Sequence, residues 1–166
     1  MENSVKAAVG QPNLGIETSH REQVADLLSL LLADEHVLYI KLRNYHWNVK
    51  GPHFGPLHAF FEEQYNGLAE TIDEVAERIR ALGFFADGSM QSFLEKARLQ
   101  ETGNLGGNAT DMLTHLLADH EMIIQVLRHD VDATMDQFGD AGTSDFLTGL
   151  LEQHEKMAWM VRAHLG

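Results

Sequence analysis

From residue 19 onward, apolar positions recur at intervals of three and four in four long blocks, with polar residues between them. This is the signature of amphipathic helices. The first block runs through LLSLLLADEHVLYIKLRNYHW and ends near Asn48, and Ser19-x-x-Glu22 before it has the form of a capping box. Gly51 and Pro52 break the pattern. The second block carries Leu57, Phe60, Phe61, Tyr65, Leu68, Ile72, Val75, Ile79 and Leu82. Pro56 suits its first turn, where a missing N–H costs nothing, and Gly83 suits a left-handed stop. A loop over 83–91 precedes a short helix that Ser92-x-x-Glu95 opens and that ends near Arg98. Gly103, Gly106 and Gly107 interrupt the chain again. The last two blocks predict helices over about 110–138 and 144–164, separated at Gly139. Nothing reads as a strand, a repeat or a low-complexity tract. The pattern predicts an all-α, four-helix bundle over 18–166 with a short extra helix between helices 2 and 3, preceded by an extended polar arm over 1–17.

The candidate chemistry lies in helix 2 and the turn before it. His46 and His58 flank the Gly/Pro turn, Glu62 follows His58 by four residues, and Asp73 and Glu77 are again four apart. Residues four apart share a helix face. Each pair taken alone would pass for a solvated face or ordinary histidines. Together they form a mixed imidazole–carboxylate set suited to a divalent first-row metal such as iron or zinc. The two ends cannot share one ion within a chain, because Glu62 and Asp73 are separated by roughly 16 Å of helix axis at ~1.5 Å per residue. Metal–ligand bonds are about 2 Å long. Either the helix carries two poor half-sites, or two copies run antiparallel across a two-fold axis. The second solution brings the His58/Glu62 end of one copy to the Asp73/Glu77 end of the other, and an isologous contact makes two such sites. The spacing therefore favours a metal site at a subunit interface. A di-iron site inside one bundle would draw on Glu-x-x-His pairs. The one such pair here, Glu17 to His20, falls at a helix start rather than mid-helix.

The stretch Asn44–Gly83 closely resembles the signature of the Dps family of mini-ferritins: an HW dipeptide, a His twelve residues on, an acid four later, an Asp eleven later and a Glu four after that. The likeness extends through AERIRALG, GSMQSFLEKA and TSDFLTGLLEQHEKMAWMVRAHL, covering the chain after about Ile16. It implies a ferritin-like subunit and a hollow homo-dodecamer with ferroxidase centres between subunits. By resemblance, His46, His58 and Glu62 come from one subunit and Asp73 and Glu77 from its two-fold mate. The implied substrate is Fe²⁺, oxidised by hydrogen peroxide or, less well, dioxygen, with ferric mineral stored inside; zinc at the same ligands would make a redox-inert storage shell. Trp47 matches the family's tryptophan at electron-transfer distance from the site, although core packing would equally explain it. Asp140 and Asp145 match acidic positions of the family's three-fold pores. Gly149 stands where some relatives carry a further Asp, and Glu152 is a candidate to compensate.

Composition narrows the alternatives. At 166 residues with no cysteine, the chain suits one domain without disulfides or thiol chemistry, compatible with a reducing cytoplasm. MENSVKAAVG lacks the apolar core of a signal peptide, and no apolar run is long enough for a membrane span. The formal net charge of −13 attracts cations and repels nucleic acid. DNA compaction, the rival function in the family, rests on Lys/Arg-rich tails. Residues 1–17 hold only Lys6 against Glu2 and Glu17, so weak or absent DNA binding is expected. His164, near the end of the last helix, is the extra histidine to watch as a ligand; His115 with Asp111 or Asp119 also has ligand-like spacing.

Overall fold

A computed structural model describes residue 10 and residues 12–166; most of the arm expected over 1–17 lies outside the described residues. The described chain forms five helices: α1 (Thr18–Asn48), α2 (Phe54–Ala81), α3 (Met90–Lys96), α4 (Ala109–Asp136) and α5 (Ala141–Leu165). An isolated β-bridge joins Lys50 and Asn108. The four long helices match the apolar blocks of the sequence, and α3 is the short insert between helices 2 and 3.

The helix starts differ from the expected ones, and tertiary contacts explain why. Ser19 does not cap α1; the N-cap is Glu17, whose side chain makes no capping bond. Arg21 anchors this end instead. It is 2% exposed and donates to the carbonyls of Ile16 and Leu82 and to the Thr18 hydroxyl. Ser92 does not open α3 either. Ser89 is its N-cap, with Oγ accepting from the Ser92 amide, so the helix begins earlier and stops at Lys96. The N-caps of α4 and α5 are Asn108, which accepts from the amides of Thr110 and Asp111, and Asp140, which accepts from that of Thr143. Such caps contribute about 1 kcal/mol each.

Two helical hairpins make the bundle. α1 packs along α2, and α4 packs most extensively on α5, whereas α2 and α5 touch only sparsely. Leu28, Leu31, Leu32, Leu38 and Leu42 of α1 are buried with Phe61, Leu68, Val75 and Ile79 of α2 and with Leu116, Ile123 and Leu127 of α4. The crossover from α2 to α4 is held against α1. Asp34, fully buried, accepts from the backbone amides of Arg98 and Leu99 and pairs with the Arg98 guanidinium at 2.6 Å. Gly83 ends α2 at φ +97°, as the sequence led us to expect, and a Cβ there would meet Pro12 at 2.6 Å. No helix among the described residues is long and apolar enough to cross a membrane.

Candidate metal centre

His46 sits in the last turn of α1 and His58 in the first part of α2, and the tight turn between the helices lays one ring on the other. The ring centroids are 3.6 Å apart and nearly parallel. Each ring is fixed by the other residue's main chain. His46 Nδ1 donates to the His58 carbonyl and His58 Nδ1 donates to the His46 carbonyl, both at 2.8 Å. A carbonyl can only accept, so both rings carry their proton on Nδ1 when neutral. That leaves a lone pair on each Nε2, the state in which imidazole binds a metal, with the outer nitrogen oriented by a backbone oxygen.

The turn itself is pinned to the crossover. The Lys50 amide donates to the Gly107 carbonyl at 3.2 Å. Gly107 has φ +81°, and a Cβ on it would lie 2.7 Å from the Asn48 carbonyl oxygen. Only glycine lets the crossover approach the HW turn this closely.

Glu62 is exposed one turn beyond His58 and accepts from the Tyr65 hydroxyl at 3.3 Å. Tyr65 stands edge-on to His46, with centroids 5.4 Å apart. Its phenol is pushed above the usual value, first by desolvation and then by the neighbouring Glu62 charge. The Arg43 guanidinium lies over the rings of Tyr39, Trp47 and Tyr65 at 5.6, 5.2 and 5.4 Å. Trp47 is 64% exposed, so within the subunit it is not a core residue. This cation–aromatic cluster beside His46 was not foreseen. The i, i+4 spacing of Tyr39, Arg43 and Trp47 was the available signal.

Asp73 and Glu77 are exposed along α2, eleven and fifteen residues after Glu62. Among the described residues no group of three or more His, Asp or Glu side chains is positioned to hold a metal ion. One chain thus brings His46, His58 and Glu62 to one end of α2 and leaves Asp73 and Glu77 toward the other, with every carboxylate of the set at the surface.

The two pore candidates part company. Asp145 is exposed. Asp140 is 2% exposed and fully engaged: it caps α5, takes a hydrogen bond from the Thr143 hydroxyl, and pairs with Arg78 at 3.0 Å. That geometry makes Asp140 a clasp between α2 and α5 rather than a free pore carboxylate. Gly149 and Glu152 are exposed on α5. His164 is exposed, its ring 4.6 Å from Phe60, two residues beyond His58. Of the two partners expected for His115, Asp119 is taken by the Lys41 ammonium and Asp111 is exposed in the first turn of α4.

Comparisons with known proteins agree with this architecture. A family model described as Ferritin-like domain matches residues 25–166. The chain is 46% identical over 153 residues to an uncharacterised low temperature-induced protein of Nostoc sp., covering 92% of this chain and 86% of that one. It is 41% identical to DNA protection during starvation protein 2 of Bacillus anthracis, over 87% of this chain and 97% of the relative. Among solved structures, a Dps protein from Vibrio cholerae superimposes with TM-score 0.88 at 31% identity, covering 96% of this chain and all of that one; it is described as one of the ferritin-like diiron-carboxylate proteins. A Dps protein from Bacillus brevis gives 0.84 at 36% identity, over 91% of this chain and all of the other. With the short helix between the second and third long helices and the family match over most of its length, the chain belongs to the Dps branch of the ferritin-like family.

Proposed function

We propose that this protein is a mini-ferritin ferroxidase acting in the cytoplasm. It assembles as a homo-dodecamer, oxidises Fe²⁺ at sites shared between two-fold-related subunits and stores the ferric product in the enclosed cavity. The observation that carries the reading is the reciprocal imidazole–carbonyl locking of His46 and His58, which readies two Nε2 lone pairs one helical turn from Glu62, with no complete ligand set among the described residues. Asp73 and Glu77 of a second copy complete the set.

Iron is the substrate. Imidazole and carboxylate together bind Fe²⁺, and hard carboxylate oxygens favour the Fe³⁺ that forms. With peroxide as oxidant, two Fe²⁺ and H₂O₂ with two protons give two Fe³⁺ and two waters, so both partners of hydroxyl-radical chemistry disappear together. Trp47, exposed beside His46, supplies an oxidisable ring when only one Fe²⁺ is present. The acidic surface draws cations inward, with Asp145 the candidate pore carboxylate on α5. Zn²⁺ takes the same ligands without turning over.

The test is anaerobic addition of Fe²⁺ and then peroxide, following ferric absorbance. Wild type oxidises iron far faster than free solution does, and His46→Ala/His58→Ala falls to the solution rate. Equal rates for the two proteins would overturn the assignment.

A further inference from the structure

The bundle interior holds a second polar constellation, unconnected with the candidate metal centre. Glu35 of α1, Gln64 of α2, His120 of α4 and His154 of α5 meet there, one from each long helix and none more than 5% exposed. His154 Nε2 lies 2.8 Å from Glu35 Oε1. The two imidazoles meet Nδ1 to Nδ1 at 3.0 Å. His120 Nε2 lies 3.2 Å from Gln64 Oε1. Both bonds to oxygen cross from one hairpin to the other, at an interface where α2 and α5 otherwise touch little.

Hydrogen bookkeeping fixes how many protons this chain holds. Both outer nitrogens face oxygens and donate. Between the inner nitrogens there is room for one hydrogen: none would oppose two lone pairs, and two would oppose two N–H groups. Three protons on four nitrogens make one neutral ring and one imidazolium. The imidazolium is His154, beside the Glu35 carboxylate, and the quartet is neutral as a whole. Turning the Gln64 amide over would allow two protons, but it would leave Glu35 as an uncompensated buried charge, which is far costlier.

We propose that this quartet is an acid-sensitive latch between the two hairpins, closed by a single shared proton and opened by a second one. Among the imidazole nitrogens a second proton has one place to go, His120 Nδ1; on Glu35 Oε2, which has no hydrogen-bond partner among the described residues, it would strip the imidazolium of its counter-charge. On His120 it would set two imidazolium rings against each other at hydrogen-bond distance with a single carboxylate to balance them. The other charged groups nearby do not offset this. On α1, Asp34 is committed to Arg98 and Lys41 to Asp119 of α4. On α2, Glu63 is exposed. On α5, Gln153 reaches Thr71, and Glu155 pairs with Arg128 at the surface. Burial and the facing His154 both hold the His120 imidazole well below its usual protonation range, so the latch stays shut near neutrality. Gln64 also lines the cleft between α2 and α5 with Phe60, Met157 and Met160, which gives protons a route in.

The experiment is hydrogen–deuterium exchange of the full chain, read as protection factors for mid-α1 and mid-α4 peptides from about pH 7 to about pH 5. Wild type loses protection by at least ~10-fold as the hairpins part. His120→Gln, which cannot accept the second proton, keeps it. His36→Gln, which leaves the quartet intact, still loses protection on acidification, by a margin reduced only by that residue's own titration. Should His120→Gln fold poorly, Glu35→Gln/His154→Gln removes the facing imidazolium and loses protection less steeply than wild type, because only the burial of His120 then opposes the second proton. The proposal is overturned if wild type holds its protection at acid pH, or if His120→Gln or Glu35→Gln/His154→Gln loses it as steeply as wild type. Neither outcome bears on iron oxidation at His46 and His58, so the two readings stand or fall separately.

Discussion

His46 and His58 hold each other through the main chain: the Nδ1 of each donates to the carbonyl of the other at 2.8 Å, with the rings stacked. The His58 carbonyl lies inside α2, whereas the His46 carbonyl is one of the open carbonyls at the end of α1, and the His58 imidazole takes the place of the Lys50 amide, which goes to Gly107. The pair is therefore built into the α1–α2 corner and arrives with its tautomers set before any partner subunit docks. What the corner lacks is the carboxylate pair Asp73 and Glu77, which lies farther along α2.

That division of labour makes a prediction about mixtures. Subunits carrying His46→Ala/His58→Ala and subunits carrying Asp73→Ala/Glu77→Ala are each inactive alone. Unfolded together and reassembled, they form some two-fold pairs with one of each kind. In such a pair one site loses all its ligands but Glu62, and the other is wholly intact. Ferroxidase activity should return to about a quarter of the wild-type level, because random pairing makes half the pairs mixed and each regains one site of two. Absence of any recovery in particles shown to contain both subunits would place the ligands within one chain.

The bundle was legible because its apolar period is unbroken over four long stretches, and the α1–α2 corner because glycine and proline announce it. The helix starts were less so. A capping box competes with tertiary anchoring, and at α1 the buried Arg21, reaching Leu82 at the far end of α2, decides where the chain enters the helix. The candidate site was half legible. Spacing shows which carboxylates share a face and that one chain cannot gather them, but not that Asp140 turns inward to Arg78. Glu35, Gln64, His120 and His154 were invisible as a group. They come from four helices, and nothing local in the sequence says that their positions lie at one level of the bundle.

Trp47 offers a separation of stability from chemistry. Its indole is 64% exposed and rests under Arg43. Trp47→Phe keeps a ring for the guanidinium and should change subunit stability by no more than about 0.5 kcal/mol, as for other exposed positions. Fe²⁺ affinity should be unchanged as well. Peroxide added with less than one Fe²⁺ per site should oxidise Trp47 in wild type, detectable by peptide mass, and the variant should show the oxidation elsewhere. Undamaged Trp47 under those conditions would remove it from the proposed chemistry.

Acid should weaken the fold from more than one place, and His36 is the half-exposed contributor. Its ring stacks on Phe93 at 3.7 Å and bonds the Leu32 carbonyl at 2.8 Å, while burial lowers its pKa against the smaller opposing effects of that bond and of Glu35. The sign follows from proton counts. A group whose folded pKa lies below the unfolded value near 6.5 binds fewer protons folded than unfolded in the window just beneath it. Its stability contribution is present above that window and is lost as pH falls through it. His36→Gln should flatten part of the decline in thermal midpoint below about pH 6.5 without changing the midpoint near neutrality by much. A steeper acid decline in the variant would reverse the sign assigned here.

Gly107 links backbone geometry to the candidate centre more directly than any ligand substitution. At φ +81° it lies where an L side chain is strained, and its added Cβ would sit 2.7 Å from the Asn48 carbonyl and equally close to the Lys50 side chain. The Lys50 side chain can swing away, but Asn48 is the last residue of α1, two positions after His46, and its carbonyl is backbone. Gly107→Ala should therefore cost about 1–3 kcal/mol in chemical denaturation. It should also push the crossover off the turn that aligns His46 with His58, lowering Fe²⁺ affinity although no ligand has changed. Gly103→Ala in the same crossover, with open space around it and no positive φ, should do neither. If both alanine variants behave alike, the close approach at Gly107 is not what holds the corner in register.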